Sequence, residues 1–136
     1  MDSLNQLNTN WTDIYYHLRY SHDEKISHQS IRILQVLEKE DEVGIKLIAQ
    51  CLQVSQNTAS EHVKRLIEKE YIYKSRSSVD ERRVILKLTA SGTKILHRHS
   101  RLDKEKLQSI FDKLTDAEAQ SILQAFQLLK QKAVEK

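Results

Sequence analysis

The sequence predicts a mainly α-helical protein with one small β-hairpin, and three observations predict it. The 136-residue chain holds no proline and only two glycines, which removes most of the turn chemistry that a β-sandwich or barrel needs. Apolar residues recur at spacings of three and four along most of the chain, the period of a helix with one buried face. Two short β-branched or aromatic runs, Tyr71-Ile-Tyr-Lys-Ser and Val84-Ile-Leu-Lys-Leu, break that pattern and read as strands. The length fits one domain over 1–136 with a single core.

The elements follow in order. Leu4, Leu7, Trp11, Ile14, Tyr15 and Leu18 form one apolar stripe, so a helix is predicted over 4–19. Ser27 or Ser30 caps a second helix carrying Ile31, Leu34 and Leu37, which ends in the charged cluster 38–42 before Gly44. Ile45, Ile48, Ala49 and Leu52 define a short third helix. Only Gln53 and Val54 separate it from Ser55, the N-cap of a fourth helix that runs to about Lys69. The two strand runs then form a hairpin around the charged loop 76–83. Thr89-Ala-Ser-Gly92 opens one long helical region containing Ile95, Leu96, Leu102, Leu107, Ile110, Phe111 and Leu114. Thr115-Asp-Ala-Glu118 is a capping-box pattern, so a last helix with Ile122, Phe126, Leu129 and Ala133 starts there.

Net charge is +3, but its distribution says more. Residues 1–54 carry 5 basic and 8 acidic side chains, 55–101 carry 11 and 5, and 102–136 carry 6 and 6. A basic excess confined to the middle is the electrostatic footprint of a nucleic-acid-binding face. No run of about 18 apolar residues exists, so no membrane span is expected. The N-terminus also lacks the layout of a signal peptide, and a cytoplasmic protein is expected. A lone cysteine, Cys51, excludes an internal disulfide and a Cys₄ or Cys₂His₂ zinc site. Without a glycine-rich phosphate loop, a nucleophile elbow or a metalloprotease motif, neither an enzyme nor a bound cofactor is expected, and no catalytic residue is assigned.

The fourth helix carries the function. Ala59, Val63, Leu66 and Ile67 lie on one face, while Asn57, Ser60, Glu61 and Lys64 lie opposite, with Ser55, Gln56 and Thr58 at its start and Arg65 on its flank. Two helices joined by a tight turn, the second with such a face, form a helix-turn-helix candidate. Asn and Gln can bond adenine edges, Lys and Arg can bond guanine or phosphate, and hydroxyls can bind the backbone. The hairpin that follows places Arg76, Arg82 and Arg83 at its tip, and an arginine there suits a narrow minor groove. Two packed helices with an ordinary solvated face and turn are the alternative, with Asp80 and Glu81 as exposed ion-pair partners.

Asp80-Glu-Arg82 followed by Leu88-Thr89-Ala-Ser-Gly92 resembles the wing signature of the MarR family of bacterial transcriptional regulators. The run Ser55-Gln-Asn-Thr-Ala-Ser60, the run Val63 to Ile72 and the order of six helices with one hairpin extend the resemblance over nearly the whole chain. It implies a winged helix-turn-helix lobe over 28–89, mainly α with the hairpin as a small wing. It also implies a homodimer built from N- and C-terminal dimerisation helices, 1–20 and 102–136. The resemblance further implies double-stranded DNA with a pseudo-palindromic operator as the partner, and an activity that is most often repression relieved by a small-molecule effector. Independently, Leu4, Leu7, Trp11, Ile14, Ile122, Phe126 and Leu129 supply more terminal apolar surface than such a lobe covers, which marks a partner site. Packing of these helices within a monomer is the alternative. Glu70 departs from the family, where glycine is common before the first wing strand.

The resemblance places an effector cleft near Tyr15, Tyr16, Leu18 and His28, where dimer core is the competing role. Thiol and metal sensing occur among relatives. Cys51, among Ile48, Ala49 and Leu52, reads as a buried apolar filler rather than a reactive thiol. The histidines are His17, His22, His28, His62, His97 and His99. His97 and His99 point about 200° apart on a helix and cannot chelate as an i, i+4 pair. Exposed or capping roles are expected for the histidines, with no metal, and a site from His17, His22, Glu24 and His28 with the fifth helix is the alternative. A protein-interaction module on the same scaffold is the competing function, against which the basic middle segment argues.

Overall fold

The computed structural model describes residues 2–135. Its elements are α1 (Ser3–Leu18), α2 (His28–Lys39), α3 (Ile45–Leu52), α4 (Gln56–Glu68), β1 (Ile72–Arg76), β2 (Val84–Leu88), α5 (Ala90–Ser100), α6 (Lys104–Phe111) and α7 (Asp116–Val134). They fall into two compact units, one spanning Arg19–Arg101 and one joining the chain before it to the chain after it.

In the central unit, α2, α3, α4, α5 and the hairpin enclose one core. Ile33, Leu34, Ile48, Leu66, Ile72 and Leu96 are its largest fully buried members. The helix starts are fixed by side chains that satisfy otherwise orphaned amides. Ser27 accepts from the Ser30 amide, Ser55 from Thr58, and Thr89 from Gly92. The strands pair antiparallel, with Ile72 opposite Leu88 and Arg76 opposite Val84. The Leu86 amide also donates to the Val43 carbonyl at 2.8 Å, tying the hairpin to the chain just before α3. Glu38 on α2 links to α5 through His97 (3.2 Å) and Arg101 (3.3 Å). Burial alone would raise its carboxyl, but the hydrogen bond and charge of Lys39, then Arg101 and His97, hold it below the ordinary value.

The corner between α4, β1 and α5 explains why Thr89 and Gly92 stand where they do. The Thr89 hydroxyl donates to the Glu70 carbonyl at 2.6 Å while accepting from the Gly92 amide at 2.9 Å. The Thr89 amide donates to the Tyr71 carbonyl at 3.0 Å. This packs the first turn of α5 directly against the backbone at Tyr71. Glu70 itself has φ 64°, a left-handed conformation at the end of α4, so the departure from glycine noted in the sequence carries a real backbone cost. Glu70→Gly should therefore stabilise the fold by about 1 kcal/mol and raise the thermal midpoint by roughly 3 °C. Unfolding followed by circular dichroism checks this, and a lowered midpoint would show that the glutamate side chain contributes more than its backbone strain costs.

The long helical region expected after Leu88 is instead two helices. The α5 ladder stops at Arg101, whose φ −105° and ψ 160° are extended. A new start follows at Asp103, whose carboxylate accepts from the Glu105 amide at 2.9 Å. The six-helix order expected from sequence is thus corrected to seven helices among the described residues. Asp103 is an ordinary N-cap type, and the broad spread of apolar positions around it hid the break.

The terminal unit comprises α1, α6 and α7. The Asp103 amide donates to the Leu18 carbonyl at 2.7 Å, joining the start of α6 to the end of α1. The Thr115–Glu118 capping box forms as expected, at 2.9 and 3.1 Å. Neither α1 nor α7 contains a buried residue. Trp11 and Phe126 approach with ring centroids 6.4 Å apart. With Leu7, Ile14 and Leu129 they line an open apolar cavity of about 430 Å³.

Candidate nucleic-acid interface

The connection from α3 to α4 is as tight as the sequence predicted. Gln53 takes the left-handed conformation (φ 56°, ψ 47°) and its amide donates to the Ala49 and Gln50 carbonyls. The Val54 amide also reaches Ala49 at 3.0 Å, so the Ala49 and Gln50 carbonyls at the end of α3 are satisfied and the chain turns at once into Ser55. Ala59, Val63 and Leu66 bury the inner face of α4. Ser55, Gln56, Asn57, Thr58, Ser60, Lys64 and Arg65 are all exposed. The Ser55 and Thr58 hydroxyls lie 3.0 Å apart within the cap, and the Arg65 guanidinium lies 3.0 Å from Nδ1 of His62. Gln56 and Asn57 project from the first turn, the part of a recognition helix that meets base edges.

The wing tip is an organised turn, and its organiser is a residue that the sequence reading missed. Ser77 is buried, and its hydroxyl accepts from the amides of Val79 and Asp80, both at 3.1 Å. Its own amide donates to the Arg83 carbonyl at 3.0 Å, closing the tip. Only the mild preference of serine for side-chain turns could have signalled this. Asp80 accepts from both the backbone amide and Nε of Arg82 at 3.1 Å. These contacts, the Arg82 side chain first, hold the Asp80 carboxyl below its ordinary value. Asp80 thereby orients Arg82, while Arg76, Arg82 and Arg83 are exposed. Between α4 and the wing runs an open groove of about 750 Å³, lined among others by Ser60, Lys64, Tyr73 and Lys74. The fold therefore brings every sequence-predicted DNA-binding residue onto α4, its cap or the wing, all within the central unit.

The other candidates are distributed differently. Leu4, Leu7, Trp11, Ile122, Phe126 and Leu129 are exposed on the terminal unit, and Ile14 is half-buried there. Of the effector-cleft residues, Tyr15, Tyr16 and Leu18 belong to α1, whereas His28 opens α2 in the central unit. Cys51 is half-buried and packs against the core, as a filler would. Near the end of α5, His99 meets His22 and Glu24 from the segment before α2. The hydrogen bond from Arg98 holds the Glu24 carboxyl below its ordinary value, and burial followed by the charge of His22 does the same to the His99 imidazole.

Comparison with known proteins agrees with this geometry. The profile of the transcriptional regulator SarA/Rot family matches residues 19–99, nearly the whole central unit. An uncharacterised HTH-type transcriptional regulator, YpoP of Bacillus subtilis (strain 168), is 29% identical over 110 residues, covering 81% of this chain and 78% of its own. FabT of Streptococcus pneumoniae, solved in complex with DNA, is 26% identical with a TM-score of 0.58, covering 96% of this chain and 97% of that one. ZitR of Lactococcus lactis, solved as a point mutant, is 25% identical with a TM-score of 0.55, covering 97% and 98%. MepR of S. aureus bound to ethidium bromide shares the fold at 20% identity, with a TM-score of 0.61 over 96% and 93%. The resemblance to MarR-type winged-helix regulators read from the wing signature is thus borne out, and these relatives are regulators rather than enzymes. No helix among the described residues is long and apolar enough to cross a membrane.

Proposed function

From its membership of the SarA/Rot family of DNA-binding transcriptional regulators, we propose that the chain acts as a homodimeric repressor on a pseudo-palindromic operator. The observation that carries this reading is the exposed polar face of α4 beside an arginine-bearing wing on one unit. In this reading α4 enters the major groove, where Gln56 and Asn57 reach base edges, while Ser55, Thr58, Ser60, Lys64 and Arg65 hold phosphates. The wing lays Arg82 into the adjacent minor groove, with Arg76 and Arg83 along the backbone.

The dimer is supported by the terminal unit. A 19-residue helix with no buried residue gains little from propensity alone and needs an apolar partner surface. Ile122, Leu123, Phe126 and Leu129 offer that surface on α7, and Leu4, Leu7 and Trp11 offer it on α1. Two-fold pairing through these faces gives the dimer one α4 for each half-site, so that operator symmetry mirrors protein symmetry.

The test separates base readers from phosphate binders. Asn57→Ala should change sequence preference at one operator position, with discrimination falling by about 1–3 kcal/mol there. Lys64→Ala should weaken binding to all sequences alike and reduce the slope of log affinity against log salt by about 1 for each chain. Site selection from a random DNA library, followed by salt titration of the winning site, reads both. Unchanged preference in the first variant and an unchanged slope in the second would contradict the proposed docking.

A further inference from the structure

We propose that His22, Glu24 and His99 form a binding site for a divalent transition metal ion of the zinc type, with two imidazole nitrogens, one carboxylate oxygen and a position left for water. The three side chains each bring a ligand atom to within 4.8 Å of the others. A tetrahedral ion with ligands about 2.1 Å away separates its donors by about 3.4 Å, so side-chain rotation suffices to close the set. The imidazole rings of His22 and His99 already lie 3.9 Å apart between centroids. Imidazole and carboxylate ligation suits zinc rather than the hard cations magnesium and calcium, which take oxygen ligands.

Arg98 bears on the site in two opposing ways. Its Nε and terminal nitrogen donate to the two oxygens of Glu24 at 2.5 and 2.6 Å. A carboxylate offers about four lone-pair positions, so this pair leaves room for an ion and fixes the carboxylate as an outer partner does in metal sites. The positive guanidinium also repels a cation, which makes the site one of moderate affinity. Its placement gives it leverage. His22 stands near the start of the Arg19–Arg101 unit and His99 near its end, so a bound ion clamps the two ends of that unit together.

The sequence alone groups His17, His22, Glu24 and His28 with the fifth helix. The fold keeps His22, Glu24 and that helix, adds His99, and leaves His97 with Glu38.

The experiment uses the full-length protein, freed of metal by chelation and titrated with zinc ion alone in competition with a chromophoric chelator. Thermal unfolding is followed with and without the ion. One zinc per chain is expected, with a raised thermal midpoint and no comparable effect of magnesium. His22→Ala, at an exposed position that leaves the fold intact, should weaken zinc binding at least about tenfold, as expected for loss of one of three protein ligands. His99→Gln should do the same, and cobalt bound to the wild type should show the intense visible bands of tetrahedral coordination, lost in both variants. Equal zinc affinity in wild type and His22→Ala would place any binding elsewhere and overturn the proposal, as would the absence of stoichiometric binding. No DNA is present in this assay, so its failure is separate from failure of the repressor reading.

Discussion

Replacing Arg82 with alanine should weaken operator binding by about 1–3 kcal/mol, or roughly fivefold to 150-fold, while leaving the thermal midpoint where it is. The two halves of that expectation have separate causes. The Arg82 side chain is 91% exposed, so its removal deletes no packing and only an exposed ion pair with Asp80, which adds little to stability. The same exposure is what makes it available to DNA. Asp80 fixes the guanidinium through Nε at 3.1 Å and the backbone amide of Arg82 at 3.1 Å, which lowers the ordering cost when the wing meets a narrow minor groove. Asp80→Asn should accordingly lose affinity too, but less than Arg82→Ala. Fluorescence anisotropy with labelled operator, alongside thermal unfolding, measures both quantities. Wild-type affinity in Arg82→Ala would remove the wing from the interface, and a large fall in the midpoint would show its role to be structural.

Gly92→Ala should damage the fold severely, costing about 3 kcal/mol and lowering the thermal midpoint by roughly 10 °C. An added Cβ would meet the Tyr71 carbonyl oxygen at 1.9 Å, its carbon at 2.9 Å and the Tyr71 Cα at 3.2 Å. All three are backbone atoms, so no side chain can swing aside. Helix propensity pulls the other way, since alanine inside a helix is favoured over glycine by about 1 kcal/mol, but the steric overlap outweighs it. Relief requires α5 to move away from β1, which strains the hydrogen bonds of Thr89 to Glu70 and Tyr71 and shifts the wing. DNA affinity should therefore fall along with stability. A midpoint within about two degrees of wild type would show that the corner relaxes freely.

Much of the fold was legible because its signals are local. Ser55, Thr89 and Thr115 announce helix starts through their own side-chain chemistry, and each caps the helix expected of it. The polar face of α4 follows from periodicity alone. The left-handed strain at Glu70 was legible only through the resemblance, because nothing local about glutamate predicts φ 64°. The break at Arg101 was hidden by an apolar pattern too diffuse to show a change of helix. Contacts between distant segments were the least readable. Ser77 closes the wing by a hydroxyl whose partners become clear only once the hairpin register is set. Glu24 meets Arg98, 74 positions along the chain, because α5 packs beside the segment before α2, which no local pattern encodes.

The measurement that bears most directly on the repressor reading is binding of the purified protein to DNA from its own promoter region across a salt series, with the mass of the complex recorded. One dimer on one site is predicted, bound tightly at low salt, with log affinity falling linearly with log salt at a slope set by the phosphates that α4 and the wing neutralise. Weak binding to all DNA alike, or a complex containing a single chain, would contradict it.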